Sequence, residues 1–248
     1  MKKLLSCILI SIVGLFCLTG CNDKNPTEIT ISAAASLKDS LGEVIEKFEK
    51  ENKNIKINVN FGGSGALKNQ IIAGAPVDIV FFASQKDLND LKDKKMIDEK
   101  HHKNLLKNRL VVAGRREISD LYEIVNDKVA IGTPETVPAG RYAKEAFENS
   151  GIWDAIQNNL VFTKDVRSAA QYVDLGEVDY SLIYKTDAKI LKNAKIAYIV
   201  PEDLHKPIIY SYGIIKGHGT DANIKFYNYL QSKDAAKIYK KYNFELAE

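Results

Sequence analysis

Cysteine, arginine and histidine are the scarce side chains of this sequence. Its 248 residues hold three cysteines, four histidines and five arginines (Arg109, Arg115, Arg116, Arg141, Arg167) against thirty lysines. All three cysteines, Cys7, Cys17 and Cys21, fall near the start. The rest of the chain therefore has no disulfide, no thiolate metal site and no cysteine nucleophile. So few arginines leave little of the planar fork chemistry that reads phosphates and base edges, and a net charge of +3 adds no pull. No nucleic-acid partner is expected. Hydrophobic residues make up 45% and charged residues 27%, which excludes a polytopic membrane protein and a disordered tail. No short-period repeat or low-complexity segment occurs. The length suits one large domain or two lobes of about 100 residues each.

What is present begins with a leader. Lys2 and Lys3 precede an apolar stretch from Leu4 to Leu18, short for a membrane span but suited to the h-region of a signal peptide. Leu18-Thr19-Gly20-Cys21 then resembles the lipobox of bacterial lipoproteins. The resemblance implies a signal peptide over 1–20, a lipidated Cys21, and a lipid anchor on the extracytoplasmic face of the cell membrane. Residues 21–27, polar and containing Pro26, read as a tether. Loss of Lys2 and Lys3 with the leader lowers the net charge from +3 to +1.

Beyond the tether, strand and helix patterns alternate. Ile29 to Ala35 reads as a strand, and Leu37, Leu41, Val44, Ile45 and Phe48 follow helical spacing. Ile55, Ile57, Val59 and Phe61 alternate as a half-buried strand should. Leu67, Ile71 and Ile72 begin a helix, and Asp78 to Ala83 is a continuous apolar strand of the parallel-sheet type. Leu88, Leu91 and Met96 predict a charged helix, and the lysine-rich 92–103 stretch, with His101 and His102, predicts a solvated helix face. The pattern restarts with strands at 110–113, 129–132, 160–162, 180–184 and 195–200. Helices are expected over about 139–150 and 166–175, each followed by glycine. Residues 207–215 predict a returning strand, and 221–231 and 233–241 two closing helices. The expected fold is α/β: two lobes, 28–109 with 211–248 and 110–210, each a doubly wound, mostly parallel sheet, joined by crossings near 108–110 and 209–213.

In such sheets ligands bind beyond the carboxyl ends of the strands. Ser36 and Ser64 follow two strand ends at helix starts. Pro138-Ala139-Gly140 and Asp165-Val166-Arg167 open two more helices, and Tyr184 ends a strand. Helix starts offer unpaired N–H groups and a positive dipole end, and hydroxyls add adaptable donors. Converging on one cleft, they would hold an oxyanion without full positive charge. The plainer reading of Ser36 or Ser64 alone is an N-cap, which stabilises a helix by about 1 kcal/mol.

Ala33-Ala34-Ala35-Ser36-Leu37, Phe61-Gly62-Gly63-Ser64-Gly65-Ala66-Leu67 and Ala73-Gly74-Ala75-Pro76-Val77-Asp78 occur in order. They are followed by Gly132-Thr133-Pro134-Glu135-Thr136-Val137-Pro138-Ala139-Gly140-Arg141-Tyr142-Ala143, Asp165-Val166-Arg167 and Pro201-Glu202-Asp203-Leu204-His205-Lys206-Pro207. Together they resemble the molybdate-binding proteins of molybdate ABC transporters, of the type II periplasmic-binding-protein family, over about 28–245. The resemblance implies a monomeric solute-binding protein, not an enzyme and without a cofactor, that gives its anion to an ABC permease. It implies molybdate or tungstate held in the cleft by Ser36 and Ser64 (hydroxyl and N–H), Ala139 and Val166 (N–H) and Tyr184 (hydroxyl), with no arginine or lysine contact. Sulfate, being smaller, and phosphate, which keeps a proton, are expected to bind less well. One departure is Gly65, where the family often has a second serine. It removes a secondary donor and predicts a looser loop.

Other readings stay open at this level. The ligand could be sulfate or phosphate, or ferric ion held by Tyr180 and Tyr184, which share one side of a strand. A secreted hydrolase could use Ser64, but Gly63-Ser64-Gly65 falls short of the Gly-x-Ser-x-Gly elbow. None of His101, His102, His205 and His218 sits in a strand-end turn of the cleft. An adhesion or sensor lipoprotein without a ligand would not need Ser36 and Tyr184. Trp153 and Phe147 read as packing, and Arg167 as orienting its loop.

Overall fold

The structure is a computed structural model and describes residues 26–247. The signal peptide, Cys21 and all but the last two tether residues lie outside the described residues. Thr27, placed in the tether, is the first residue of a strand.

The first lobe opens with β1 (Thr27–Ala34), whose inward residues Ile29, Ile31 and Ala33 are fully buried. A 3-10 turn (Ala35–Leu37) leads into α1 (Lys38–Glu51), which buries Leu41, Val44, Ile45 and Phe48 at the helical spacing of the sequence. β2 (Ile55–Gly62), α2 (Ser64–Ile72), β3 (Ile79–Phe82) and α3 (Gln85–Asp93) complete the βα run. β3 is buried on both faces: Ile79 and Phe81 join the main core, Val80 and Phe82 a smaller one with Leu67, Leu88 and Leu91. That explains its unbroken apolar sequence.

The next segment departs from expectation. α3 ends at Asp93, so Met96 is outside it, and Lys95 takes a left-handed φ of 56°. Residues 97–103, part of the stretch read as a solvated helix face, belong instead to the strand β4 (Ile97–Asn108). Only its two ends bury apolar side chains, while its backbone bonds to other strands from both edges. Long-range pairing overrides the local polar pattern here.

The second lobe contains β5 (Leu110–Gly114), β6 (Val129–Gly132), α4 (Pro138–Asn149), the short α5 (Trp153–Ile156), β7 (Leu160–Thr163), α6 (Val166–Leu175), β8 (Tyr180–Tyr184) and β9 (Lys195–Ile199). Gly176 ends α6 at φ 80°, the left-handed stop for which glycine suits. Phe147 is fully buried, and Trp153 is partly buried under the Lys144 ammonium. The chain then returns through β10 (Ile208–Ile215) and ends in α7 (Asp221–Leu230), α8 (Lys233–Lys241) and β11 (Glu245–Leu246).

The first sheet has the order β2-β1-β3-β10-β4-β11, the second β7-β6-β8-β5-β9. Four of the nine strand pairings among the described residues are parallel. The parallel strands form one half of each sheet, and the helices that follow them open toward the cleft. In both sheets the fourth place is taken, antiparallel, by a strand that has just crossed from the other lobe: β10 in the first, β5 in the second. The first crossing is at Arg109, between β4 and β5. The second differs from the expected 209–213. β10 pairs with β4 from Ile208 onward, so the chain crosses within 200–207, and Ile208–Tyr210 lie in the first sheet.

Candidate functional site

Both lobes contribute to one small, tightly closed cavity. Its wall holds Ser36, Ser64, Ala139, Val166 and Tyr184 together. Ala34, Ala35, Gly62, Gly63, Ala83, Val137 and Pro138 complete it, so no charged side chain lines it.

Each residue arrives there for a local reason. Ser36 is the second residue of the 3-10 turn after β1. Ser64 is the first residue of α2, with Gly63 before it. Ala139 follows Pro138 in the first turn of α4, where a proline N1 costs no hydrogen bond. Val166 opens α6 behind Asp165, whose carboxylate caps the helix by accepting from Ser168 N at 2.8 Å. The N–H groups of Ser36, Ser64, Ala139 and Val166 stand in first turns, where no intrahelical acceptor exists. None finds another acceptor among the described residues. Four helix-start donors thus face a cavity with their hydrogens unspent.

Neither serine caps its helix, which answers the plainer reading. Real side-chain caps occur at Ser84, Asp165, Thr220 and Ser232. The helices beside Ser36 and Ser64 have no side-chain cap bond. Ser64 Oγ instead accepts the Ala83 N–H at 3.0 Å, which leaves its own proton to donate elsewhere. It meets an amide, not an imidazole. Ser36 Oγ lies 2.8 Å from Tyr210 Oη. The Tyr184 hydroxyl is buried without a partner. Burial pushes the Tyr184 and Tyr210 hydroxyls well above the ordinary phenol range, so both remain protonated donors.

The lobes touch around this cavity. Thr136 O accepts from Gly65 N at 2.9 Å and Ala66 N at 3.2 Å. A Cβ on Gly65 would stand 2.9 Å from that oxygen, and one on Gly63 2.8 Å from it. Gly65 therefore does not sit in a looser loop, as the sequence had suggested, but in the first turn of α2, pressed against the second lobe. Ion pairs flank the contact. Arg141 Nη2 meets the fully buried Asp87 at 2.7 Å, and Lys68 holds the other Asp87 oxygen at 2.9 Å. Arg167 reaches Asp39 at 2.7 Å and Ser36 O at 3.4 Å across the cleft, and Asp187 of its own lobe at 2.5 Å. Arg167 thus orients the Ser36 turn without lining the cavity. Tyr180 is also buried but is not on the cavity wall.

Sequence reasoning missed Asn108, Tyr210, Asp39 and Asp87. Their partners lie on other elements, and no local pattern announces them. The four histidines are elsewhere: His101 and His218 pair with Asp98 and Asp78, and His205 with Lys206 O. Larger grooves exist, such as one between α1 and α8. Its charged groups satisfy one another through Lys47–Asp234 and Lys241–Glu43 pairs. Among the described residues no group of three or more His, Cys, Asp or Glu could hold a metal ion.

A two-lobed cleft lined by neutral donors is the arrangement a small-solute carrier needs, and comparison with known families agrees. The profile for "Bacterial extracellular solute-binding protein" matches residues 29–245. The chain belongs to this family. Among solute-binding relatives, "Putative ABC transporter substrate-binding lipoprotein YvgL" of Bacillus subtilis (strain 168) is 36% identical, covering 98% of this chain and 99% of that protein. "Molybdate-binding protein ModA" of Escherichia coli (strain K12) is 36% identical over 88% of this chain and 89% of that protein. The solved "substrate binding domain of putative molybdenum ABC transporter from Clostridium difficile" is 34% identical, covers 90% of this chain and 100% of that chain, and superposes with a TM-score of 0.69. The family resemblance read from the ordered motifs thus holds over the two-lobed fold.

Proposed function

We propose that this solute-binding protein captures molybdate and tungstate in the inter-lobe cavity and delivers them to an ABC permease. It does so as a monomer anchored through lipid on Cys21 at the outer face of the membrane. The observation that carries the reading is the set of donors at the cavity: the unspent Ser36, Ser64, Ala139 and Val166 N–H groups and Tyr184 hydroxyl, with the Ser36 and Ser64 hydroxyls beside them, on a wall without charge. A tetrahedral dianion offers only acceptors, so every such donor finds a partner on it. Charge-assisted hydrogen bonds of this kind are about twice as strong as neutral ones. The names of the relatives support molybdenum as the element.

Capture follows from lobe closure. Ser36 and Ser64 stand on the first lobe, and Ala139, Val166 and Tyr184 on the second. An anion joining both sets binds the closed arrangement more tightly than any open one, and shifts the equilibrium by that difference. Closure turns on the two crossings at Arg109 and 200–207. The lobes 28–109 and 110–207, with 208–248 returned to the first, act as the moving bodies.

The test is a thermal melt of the purified protein with molybdate, tungstate, sulfate and phosphate in turn. A ligand at a hundredfold excess over its dissociation constant stabilises by about 2.7 kcal/mol. Stabilisation by molybdate and tungstate, largely absent in Ser36→Ala, is expected. Equal stabilisation by sulfate would remove the ligand assignment and keep the anion cleft.

A further inference from the structure

The hydroxyl of Ser36 does not stand alone. Behind it runs a chain of buried groups whose hydrogen-bond directions can be worked out from one fixed end. Arg109 N, a backbone donor, lies 2.9 Å from Asn108 Oδ1, so that atom must be the amide oxygen. The Asn108 Nδ2 hydrogens then point the other way, to Thr186 Oγ1 at 2.8 Å and Tyr210 Oη at 3.2 Å. Tyr210 Oη accepts from Asn108, so its own proton has one remaining partner, Ser36 Oγ at 2.8 Å. Ser36 Oγ accepts from Tyr210, and its proton is left to face the cavity. Asn108, Tyr210 and Ser36 are all at least nine-tenths buried, so water offers no easy alternative.

Resting on the reading of this cavity as an oxyanion site, we infer that Asn108 and Tyr210 are specificity-determining residues: through the relay Asn108→Tyr210→Ser36 they aim the Ser36 hydroxyl proton into the cavity, and so set the site against anions that carry a proton. Ser64 is held the same way by the Ala83 N–H. A protonated phosphate turning its P–OH toward Ser36 would need Ser36 to accept. With Tyr210 donating, Ser36 Oγ keeps one lone pair, but its proton already points at the anion, so a P–OH there meets donor against donor unless Ser36 turns that proton back to Tyr210 and displaces the Tyr210 proton. Molybdate and sulfate, unprotonated at neutral pH, incur no such cost. Size separates molybdate from sulfate, and hydroxyl direction separates both from phosphate. Asn108 ends β4 just before the first crossing and bonds one residue from each lobe, Tyr210 and Thr186, so the relay is anchored beside the point where the lobes turn.

The relay can be reversed by one near-isosteric change. In Asn108→Asp the carboxylate accepts from Tyr210, Tyr210 accepts from Ser36, and Ser36 becomes free to accept a P–OH. Affinities for molybdate, sulfate and phosphate would be measured by calorimetry at neutral pH for wild type, Asn108→Asp and Asn108→Asp/Tyr210→Phe. The added negative charge weakens molybdate and sulfate together. The phosphate-to-sulfate affinity ratio should rise about tenfold in Asn108→Asp. It should return to the wild-type ratio in the double variant, where the charge remains and the relay is cut. An unchanged ratio, or the same rise without Tyr210, would overturn the relay. As an independent check, Tyr210→Phe should weaken molybdate several-fold in wild type and not at all in a Ser36→Ala background, since coupled residues do not add. Additive losses would overturn it too. Wild type that binds sulfate and molybdate alike would instead remove the ligand reading, an outcome distinct from either.

Discussion

The two lobes share one strand order yet bring opposite chemistry to the cleft. In each, a central parallel strand is flanked by two others, and a crossed strand fills the fourth place. The first lobe supplies serine hydroxyls at the cavity and carboxylates beside it, Asp39 and Asp87. The second supplies bare N–H groups, one phenol, and the arginines that meet those carboxylates, Arg141 and Arg167. Arginine is scarce here and it does not line the cavity. It joins lobe to lobe, one or two residues beyond the N–H groups of Val166 and Ala139. Charge joins the two lobes, and neutral donors line the cavity between them.

The sharpest way to break this division is at Arg167. Arg167→Ala leaves Asp187 fully buried without a cation, and removing one partner of a buried pair costs about 3–5 kcal/mol. Chemical unfolding at neutral pH should show that loss, with part of it recovered in Arg167→Ala/Asp187→Asn. No recovery would mean that Arg167 acts through packing alone.

Lobe contact comes next in size. Gly63→Val should keep the unliganded melting temperature and weaken molybdate by about tenfold to a hundredfold. A Cβ there would stand 2.8 Å from Thr136 O across the lobe contact, and overpacking costs about 1–3 kcal/mol. Unaltered affinity would show that binding does not need this contact.

Arg141→Ala should be milder than Arg167→Ala, because Asp87 keeps Lys68 as a partner. The expected effect is a several-fold faster release of molybdate with little change in unfolding free energy. A stability loss equal to that of Arg167→Ala would erase the distinction between the two arginines.

The smallest effect is in pH. Burial pushes the Asp187 carboxyl up to about 6, against the pull of Arg167. The folded state therefore holds this proton more tightly than the unfolded chain. Its contribution to stability is full below the ordinary carboxylate value of about 4 and is lost as pH rises through about 6. Melting temperatures of wild type and Asp187→Asn should diverge across that window. Parallel curves would place the proton elsewhere.

Much of this was legible in the sequence, and the rest was hidden for definite reasons. β1, β2 and β3 announce themselves through apolar alternation or continuity, and α6 through its Asp165 and Gly176 ends. β4 does not, because Asp98-Glu99-Lys100-His101-His102-Lys103 buries little and is held by backbone pairing to β10. The second crossing was misplaced for a related reason: apolar Ile208 and Ile209 fit either sheet until the pairing with β4 is seen. The cavity residues could be named from strand ends and ordered motifs. The relay behind Ser36 and the Arg–Asp pairs could not, since their partners lie far apart in sequence, 174 residues for Ser36 and Tyr210.

Crystals grown with molybdate and measured at the molybdenum absorption edge test the central claim most directly. The account predicts one strong anomalous peak in the cavity. It should lie at hydrogen-bonding range of its oxygens from Ser36, Ser64, Ala139, Val166 and Tyr184, with Arg141 and Arg167 still on Asp87 and Asp39. A peak held by arginine or lysine, or one outside the cavity, would contradict it.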